Sequence, residues 1–549
     1  MDTIIPAGTP AGNPTVPIQA SRHPTIFEPA TLILLAVLCV VGAIIGMQLL
    51  VTLGVTANTS VVGALVAMGL ARVPVRAFAR YRSIHVQNLA QSAISAATFG
   101  AGNSLLLPIG VPFLLGRSDL VLPLLGGVAL AMLVDATMLY RLFGTRAFPA
   151  EGAWPPGVAA AEAIRAGDEG GRRMAVLGGG LAAGIVGTGV LGIPMSAFGV
   201  AFIGNIWALS MFGAGLLLRG YSPQLFSGLL PSGDIAKAYI PHGLMIGAGL
   251  VALVQVALVM SARRTAAVGP GDAPGNATAD RQAGRALGLG ALAYVGIAVL
   301  IAAGGGLMAE LSLPMLVAFV LYATFAALVH ELIVGLAAMH SGWFPAFAVA
   351  LITLIIGMLA GFPPVALALL VGFSAATGPA FADMGYDLKA GHMLRGLGAD
   401  TAFERDGRFQ QYLAAMFAFA VAAVVVLLSY PGYFAAGLVA PVAKVYVTTI
   451  KAGAAPGVAW QLFIWAVPGA LLQLLGGPKR QLGVLFATGM LILFPAAGWA
   501  VLAGVALRLL YARVRGAPAA GEMEVFAGGV IAGDALTGFA KGVAANIGK

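Results

Sequence analysis

Thr31 to Leu50 read TLILLAVLCVVGAIIGMQLL, a run with no Asp, Glu, Lys, Arg or His. About 20 consecutive apolar residues, wound at 1.5 Å per residue, match the hydrocarbon thickness of a bilayer. The run recurs in kind along the whole chain. Of 549 residues, 60% are hydrophobic and 9% charged, and the mean hydropathy is +0.95. A soluble domain needs roughly 25% charged residues to face water, so most of this surface must face lipid. The 76 glycines follow no collagen-like period and suit closely packed transmembrane helices. Cys39 is the one cysteine, which excludes an internal disulfide and a cysteine-built metal cluster.

Working outward from that run gives an all-α polytopic membrane protein of about sixteen transmembrane segments. Residues 1–26 are polar and Pro-containing and are expected to form a disordered tail. Residues 27–261 make a first transmembrane half, and 286–549 a second. Between them, 262–285 is a linker rich in Gly, Pro, Asp and Thr. No cleavage pattern follows the first run, so it is expected to be a retained span. The net charge of +9 resides in short loops rather than in a nucleic-acid-binding patch. Arg72, Arg76, Arg80 and Arg82, then Arg165, Arg172 and Arg173, then Arg263 and Arg264, then Lys389, Arg395, Arg405 and Arg408 all fall on one side of the predicted topology. Basic loops mark the cytoplasmic face, which places the N-terminus there too.

An internal duplication is expected. Ser95-Ala96-Ala97-Thr98 returns as Ser374-Ala375-Ala376-Thr377, an offset of 374 − 95 = 279. Gln224-Leu225-Phe226 returns as Gln461-Leu462-Phe463 at 461 − 224 = 237, and the same shift brings Gly170 onto Gly407. Transporters built from such repeats place substrate near the midplane between them.

Polar residues inside spans must face protein or water. In 86–114, Gln87, Gln91, Ser95 and Thr98 fall three and four residues apart and share a helical face, with Asn88, Asn103 and Ser104 nearby. That stripe reads either as interhelical hydrogen bonding or as the lining of a solute path. Its counterpart, Ser374 to Thr377, leads to Asp383. Asp135 lies deep in 119–143, and His330 and Glu331 lie towards the end of 314–337. A carboxyl group shielded from water accepts a proton more readily, so these three are candidates for proton coupling. The alternatives are a buried structural pair with a basic residue for Asp135 and an interfacial pair near a helix end for His330-Glu331. His330-Glu331 lacks the second histidine of a zinc-protease helix, and no metal or cofactor site is expected. Gly178-Gly179-Gly180 fits a dinucleotide fingerprint literally but sits in a span, where helix packing is its expected use. No Walker motif, kinase set or catalytic triad is evident, which argues against a membrane enzyme.

Three stretches carry a family resemblance. Pro155-Pro156-Gly157-Val158-Ala159-Ala160-Ala161-Glu162 with Ala166-Gly167-Asp168-Glu169-Gly170-Gly171 resembles the P-E-G-x-A-x-A-E…A-G-x-E-G-G loop of the oligopeptide transporter (OPT) family. Asp387-Leu388-Lys389-Ala390-Gly391 resembles its D-L-K-x-G element, and Ala527 to Leu536 its G-G-x-I-A-G-E-A-L hairpin. Pro156 and Asp534 depart from the pattern, and 340–345 lacks an Asn-rich stretch. The likeness points to the prokaryotic branch related to yellow-stripe-like transporters. It implies proton-coupled uptake of oligopeptides or peptide-like metal chelates across a bacterial cytoplasmic membrane. Substrate contacts are expected at Asn88, Gln91, Ser95, Asn103, Thr377 and Asp383, with Gln224 and Gln461, and proton coupling at Asp135, Glu331 and His330. The expected partners are a small-molecule or peptide substrate, protons and the lipid bilayer, with monomer and homodimer both open. A passive channel for polar solutes and a carrier of an unrelated small organic solute are the rival readings.

Overall fold

A computed structural model describes residues 22–53, 60–71, 74, 76–230, 233–261, 275–342, 345–453, 456–515 and 519–547. The expected tail up to residue 21 and the linker residues 262–274 lie outside them. The described residues are mostly helical, with one isolated bridge between Phe143 and Phe148. The first half holds α1 (Pro29–Leu53), α2 (Ser60–Ala71), α3 (Ile84–Phe99), α4 (Leu107–Leu114) and α5 (Val121–Leu142). It continues with α6 (Pro155–Glu169), α7 (Gly171–Gly189), α8 (Met195–Val200), α9 (Ile206–Leu225) and α10 (Ile240–Ser261). Next come α11 (Gly275–Gly304), which takes in residues 275–285 read above as linker, and the single turn α12 (Leu307–Glu310). The remainder is α13 (Leu313–Ser341), α14 (Ala346–Leu359), α15 (Pro364–Ala376), α16 (Pro379–Leu394) and α17 (Thr401–Ala435). Last are α18 (Pro441–Ala452), α19 (Val458–Arg480), α20 (Leu482–Leu491), α21 (Pro495–Arg515) and α22 (Ala519–Ile547).

Among the described residues, nine helical stretches are long and apolar enough to cross a membrane, and three shorter apolar helices accompany them. The count of sixteen full spans is not reached on length and hydropathy, because several apolar segments fold as half-length helices such as α2, α14 and α20. The outer surface is apolar, with Leu475 80%, Val190 78% and Leu428 76% exposed. Side chains of that kind in that number belong against lipid rather than water.

The order α1 to α10 repeats in α13 to α22. Span Ile84–Leu114 corresponds to Pro364–Leu394, with 364 − 84 = 394 − 114 = 280, and α5 to α17 shows the same shift, 401 − 121 = 280. Packing repeats with it. α7 packs on α22 as α19 packs on α10, α9 on α20 as α21 on α8, and α6 on α16 as α18 on α4. The Ser95/Ser374 offset of 279 fits this register to within a residue. The offset of 237 does not: Gln224 lies on α9, whose counterpart is α21, whereas Gln461 lies on α19. Short matches arise by chance in a chain this rich in Ala and Gly.

The two corresponding spans run in opposite directions. α3 packs on α16 and α4 on α15, and the side-chain pairs Gln91–Asp387 and Ser95–Asp383 keep a constant sum, 91 + 387 = 95 + 383 = 478. Two copies of one helix order, oppositely directed, constitute an inverted repeat. Both spans are buried along most of their length, so they form the axis of the molecule.

Glycine sets the close approaches around that axis. A Cβ on Gly180 or Gly184 of α7 would stand 2.3 Å from the carbonyl oxygen of Phe526 or Val530 on α22. Across the repeat, a Cβ on Gly247 of α10 would stand 1.8 Å from the Ala466 oxygen of α19. Gly180-x-x-x-Gly184 and Gly529-x-x-x-Gly533 are thus facing small-residue seams, which let helices approach where no hydrophobic effect drives them together.

Candidate functional site

Both axial spans are broken near their middles, by different devices. In Ile84–Leu114 the break is a π-helical stretch, Gly100–Leu106, a form common at functional sites. In Pro364–Leu394 it is Thr377-Gly378-Pro379: Thr377 is extended, and Gly378 has φ +97°. Proline disfavours helix in the residue before it, and positive φ suits glycine. α15 therefore ends here and α16 begins afresh, leaving backbone N–H groups without helical acceptors.

Asp135 of α5 meets that fresh N-terminus. Its Oδ2 accepts the Gly378 N–H at 2.7 Å, and its Oδ1 accepts the hydroxyl of Tyr294 from α11. The Tyr294 oxygen also lies 3.2 Å from Glu331 Oε2 on α13. Beside them, His330 bonds through Nδ1 to the Ser374 carbonyl, and the Ser374 hydroxyl donates to Thr353 Oγ1 at 3.2 Å. Thr377 Oγ1 returns to the Ser374 carbonyl at 2.9 Å. The three residues picked out for proton coupling are thus gathered around one helix break. All are fully buried.

A second polar layer lies along the crossing of α3 and α16. Gln91 Nε2 donates to Asp387 Oδ1, and Ser95 Oγ to Asp383 Oδ1. Asn88 Nδ2 donates to Gln91 Oε1 at 2.9 Å. Asp383 and Asp387 are one turn apart, each about 1% exposed, and each keeps one carboxyl oxygen without a hydrogen-bond partner. A buried carboxyl oxygen left so is costly unless a proton or a donor reaches it. Such a layer suits a polar guest offering N–H or ammonium groups.

Not every expected residue joins this layer. Gln87 bonds to the Tyr81 carbonyl at 2.9 Å and Thr98 to the Ile94 and Gly42 carbonyls, so that part of the stripe ties helices together. Asn103 sits half-buried in the π-helical stretch. Gln224 and Gln461 are exposed, far from the axis in the helix order, and have no place at this site. Three further participants are not among the expected site residues: Tyr294, Asp387, which was singled out only within the D-L-K-x-G element, and Gln411. Gln411 Nε2 donates to the Asp387 carbonyl at 2.6 Å and to Ser92 Oγ at 3.1 Å.

Gln411 leads to an ionic latch at one end of the axis. Arg395 Nη1 donates to Gln411 Oε1 at 2.7 Å and its Nε to Glu404 Oε2 at 2.7 Å. Glu404 also accepts from Arg408 at 2.6 Å and His392 at 3.2 Å. The Arg395 side chain is 0% exposed. Removing one partner of a buried ion pair costs about 3–5 kcal/mol. Glu404→Ala is therefore expected to lower the thermal unfolding midpoint in detergent clearly; an unchanged midpoint would show that the latch contributes nothing to the fold.

The stretch that resembles a family loop is helical, as α6, and it buttresses α16 from outside. A Cβ on Gly157 would stand 2.3 Å from the Tyr386 carbonyl oxygen, and buried Glu162 is held by Arg165 and by Arg173 at 2.6 Å. Lys389 donates to the Ala150 carbonyl at 3.1 Å. Among the described residues, no group of His, Cys, Asp and Glu is arranged to hold a metal ion.

The family model of the OPT oligopeptide transporter protein matches residues 29–232 and 191–545. The chain belongs to the OPT family. It is accordingly a multi-pass membrane transporter, with lipid around it and a small substrate as its cargo. No curated protein matches the chain. Within this OPT protein, the matched residues include both broken spans, helix α6 with Gly157, and the α22 seam.

Proposed function

We propose that this chain is a proton-coupled importer of oligopeptides or peptide-like metal chelates in a bacterial cytoplasmic membrane, with its N-terminus inside the cell. The observation that carries the reading is the buried polar layer between two oppositely directed, broken spans, beside a separate carboxyl cluster at one break. Substrate contacts fall to Asn88, Gln91, Ser95, Asn103, Thr377, Asp383 and Asp387. Amides and carboxylates complement peptide N–H, C=O and amino groups, and the same groups are shared by peptide-like chelators. Asp135 and Glu331 carry the proton, with His330 holding the end of α15. The clustering of Arg165, Arg395 and Arg408 at one end of the axis supports the proposed orientation, through Arg165 to the Met393 carbonyl and Arg408 to the Phe143 carbonyl.

The test is uptake into proteoliposomes under an inside-alkaline pH gradient, with a pool of short peptides and ferric chelates. One unit of pH is about 1.4 kcal/mol, so one co-transported proton supports roughly tenfold accumulation of a neutral solute. Accumulation that a protonophore collapses is expected, and the retained species names the substrate class. Equilibration without accumulation would replace the symporter by a passive channel.

A further inference from the structure

We infer that Tyr294, on the one long helix outside the inverted repeat, is the positioning residue that ties protonation of the Asp135–Glu331 pair to the start of half-helix α16. This rests on the proposed symport. The geometry is a chain of single contacts. Gly378 N–H, the first free donor of α16, is held by Asp135; Asp135 is held by the Tyr294 hydroxyl; and that hydroxyl is within reach of Glu331. One hydroxyl has one proton to donate. It satisfies Asp135 or Glu331, and not both at once. Glu331 Oε1 is buried and has no partner, so the pair is short of one donor.

The surroundings leave this pair to itself. α11 presents Tyr294 and α13 presents Glu331, while His330 turns away to the Ser374 carbonyl of α15. α16 presents a backbone N–H, and the ionisable groups acting on the two carboxyls are each other and Tyr294. Two buried carboxylates with no basic side chain acting on them among the described residues cannot both stay charged cheaply. A proton entering the pair adds to a carboxylate oxygen and later leaves from it, and Tyr294 donates to whichever partner remains charged. When Asp135 is the one protonated, its grip on the α16 N-terminus weakens, and α16 carries Asp383 and Asp387.

Symmetry supplies an independent argument. Across the repeat, the position of Asp135 falls on 135 + 280 = 415, which is Ala415. α1, the counterpart of α13, contains no Asp, Glu, Lys, Arg or His. The carboxyl pair therefore exists at one of the two breaks, and the helix that completes it is the long one without a counterpart.

The experiment compares Tyr294→Phe with the unaltered protein in proteoliposomes, using the peptide or chelate that the uptake screen selects. Accumulation under a one-unit pH gradient, counterflow exchange without a gradient, and the pH profile of exchange are each measured. The inference predicts that Tyr294→Phe loses the roughly tenfold accumulation, keeps counterflow, and shows a flattened pH profile. Accumulation and pH profile matching the unaltered protein would overturn it. Loss of counterflow as well would place Tyr294 in the fold rather than in coupling, and would equally overturn it. Absence of accumulation by the unaltered protein is a distinct failure, that of the symport reading itself.

Discussion

Gly180→Val is expected to yield little or no monodisperse protein, whereas Gly179→Val, one residue away in the same triplet, yields protein close to the unaltered form. At Gly180 the added Cβ alone would stand 2.3 Å from the Phe526 carbonyl oxygen and 3.1 Å from the Val530 nitrogen, both main-chain atoms of α22. Backbone cannot rotate aside as a side chain can, so α7 and α22 would have to separate along the seam. Overpacking a well-packed site costs about 1–3 kcal/mol and sometimes more, and here the seam extends to Gly184, Gly529 and Gly533. At Gly179 nothing lies within 4 Å of the added Cβ. Size-exclusion profiles of the two variants in one detergent decide the matter. Equal profiles would mean that the seam does not hold these helices together.

The second large effect concerns transport rather than folding. Asp383→Asn keeps the shape of the side chain and an oxygen able to accept the Ser95 hydroxyl. It replaces the carboxyl oxygen that has no partner by an amide nitrogen, which can only donate. A hydrogen bond to a charged group contributes about 1.5–3 kcal/mol, on the order of 10- to 150-fold in substrate affinity. The expected result is an unchanged unfolding midpoint with counterflow affinity reduced by that factor. Unchanged affinity would remove Asp383 from the substrate path. A lowered midpoint with unchanged affinity would make it a packing residue.

Much of this arrangement could be read before any helix was placed. Asp135, His330 and Glu331 stand out because ionisable residues are rare and costly in apolar runs, and all three converge on the break at Gly378. The polar stripe from Gln87 to Thr98 is visible by its spacing, and Gln91 and Ser95 of those four bond to the opposing span. The second axial span extends to Leu394, although Asp383, Asp387 and Lys389 depress its hydropathy. Those groups turn inward, each bonded to a buried partner. Tyr294 gave no signal, since a tyrosine in a span is commonplace and its two carboxyl partners lie on other helices. Gln224 and Gln461 show the opposite error: a shared tripeptide says nothing about which way a side chain faces, and both are exposed.

The proposed path of substrate runs between the two oppositely directed axial spans. It is tested most directly by Ser95→Cys in a Cys39→Ala background, since Cys39 is the one native thiol. The protein is reconstituted and labelled with a membrane-impermeant thiol reagent during turnover. Cys39 is buried and makes one long contact, to the Ala93 carbonyl at 3.7 Å, so its replacement is expected to be tolerated. The account predicts labelling from at least one side of the membrane and its suppression by saturating substrate. Labelling that substrate leaves unchanged, or no labelling from either side during verified turnover, would contradict it.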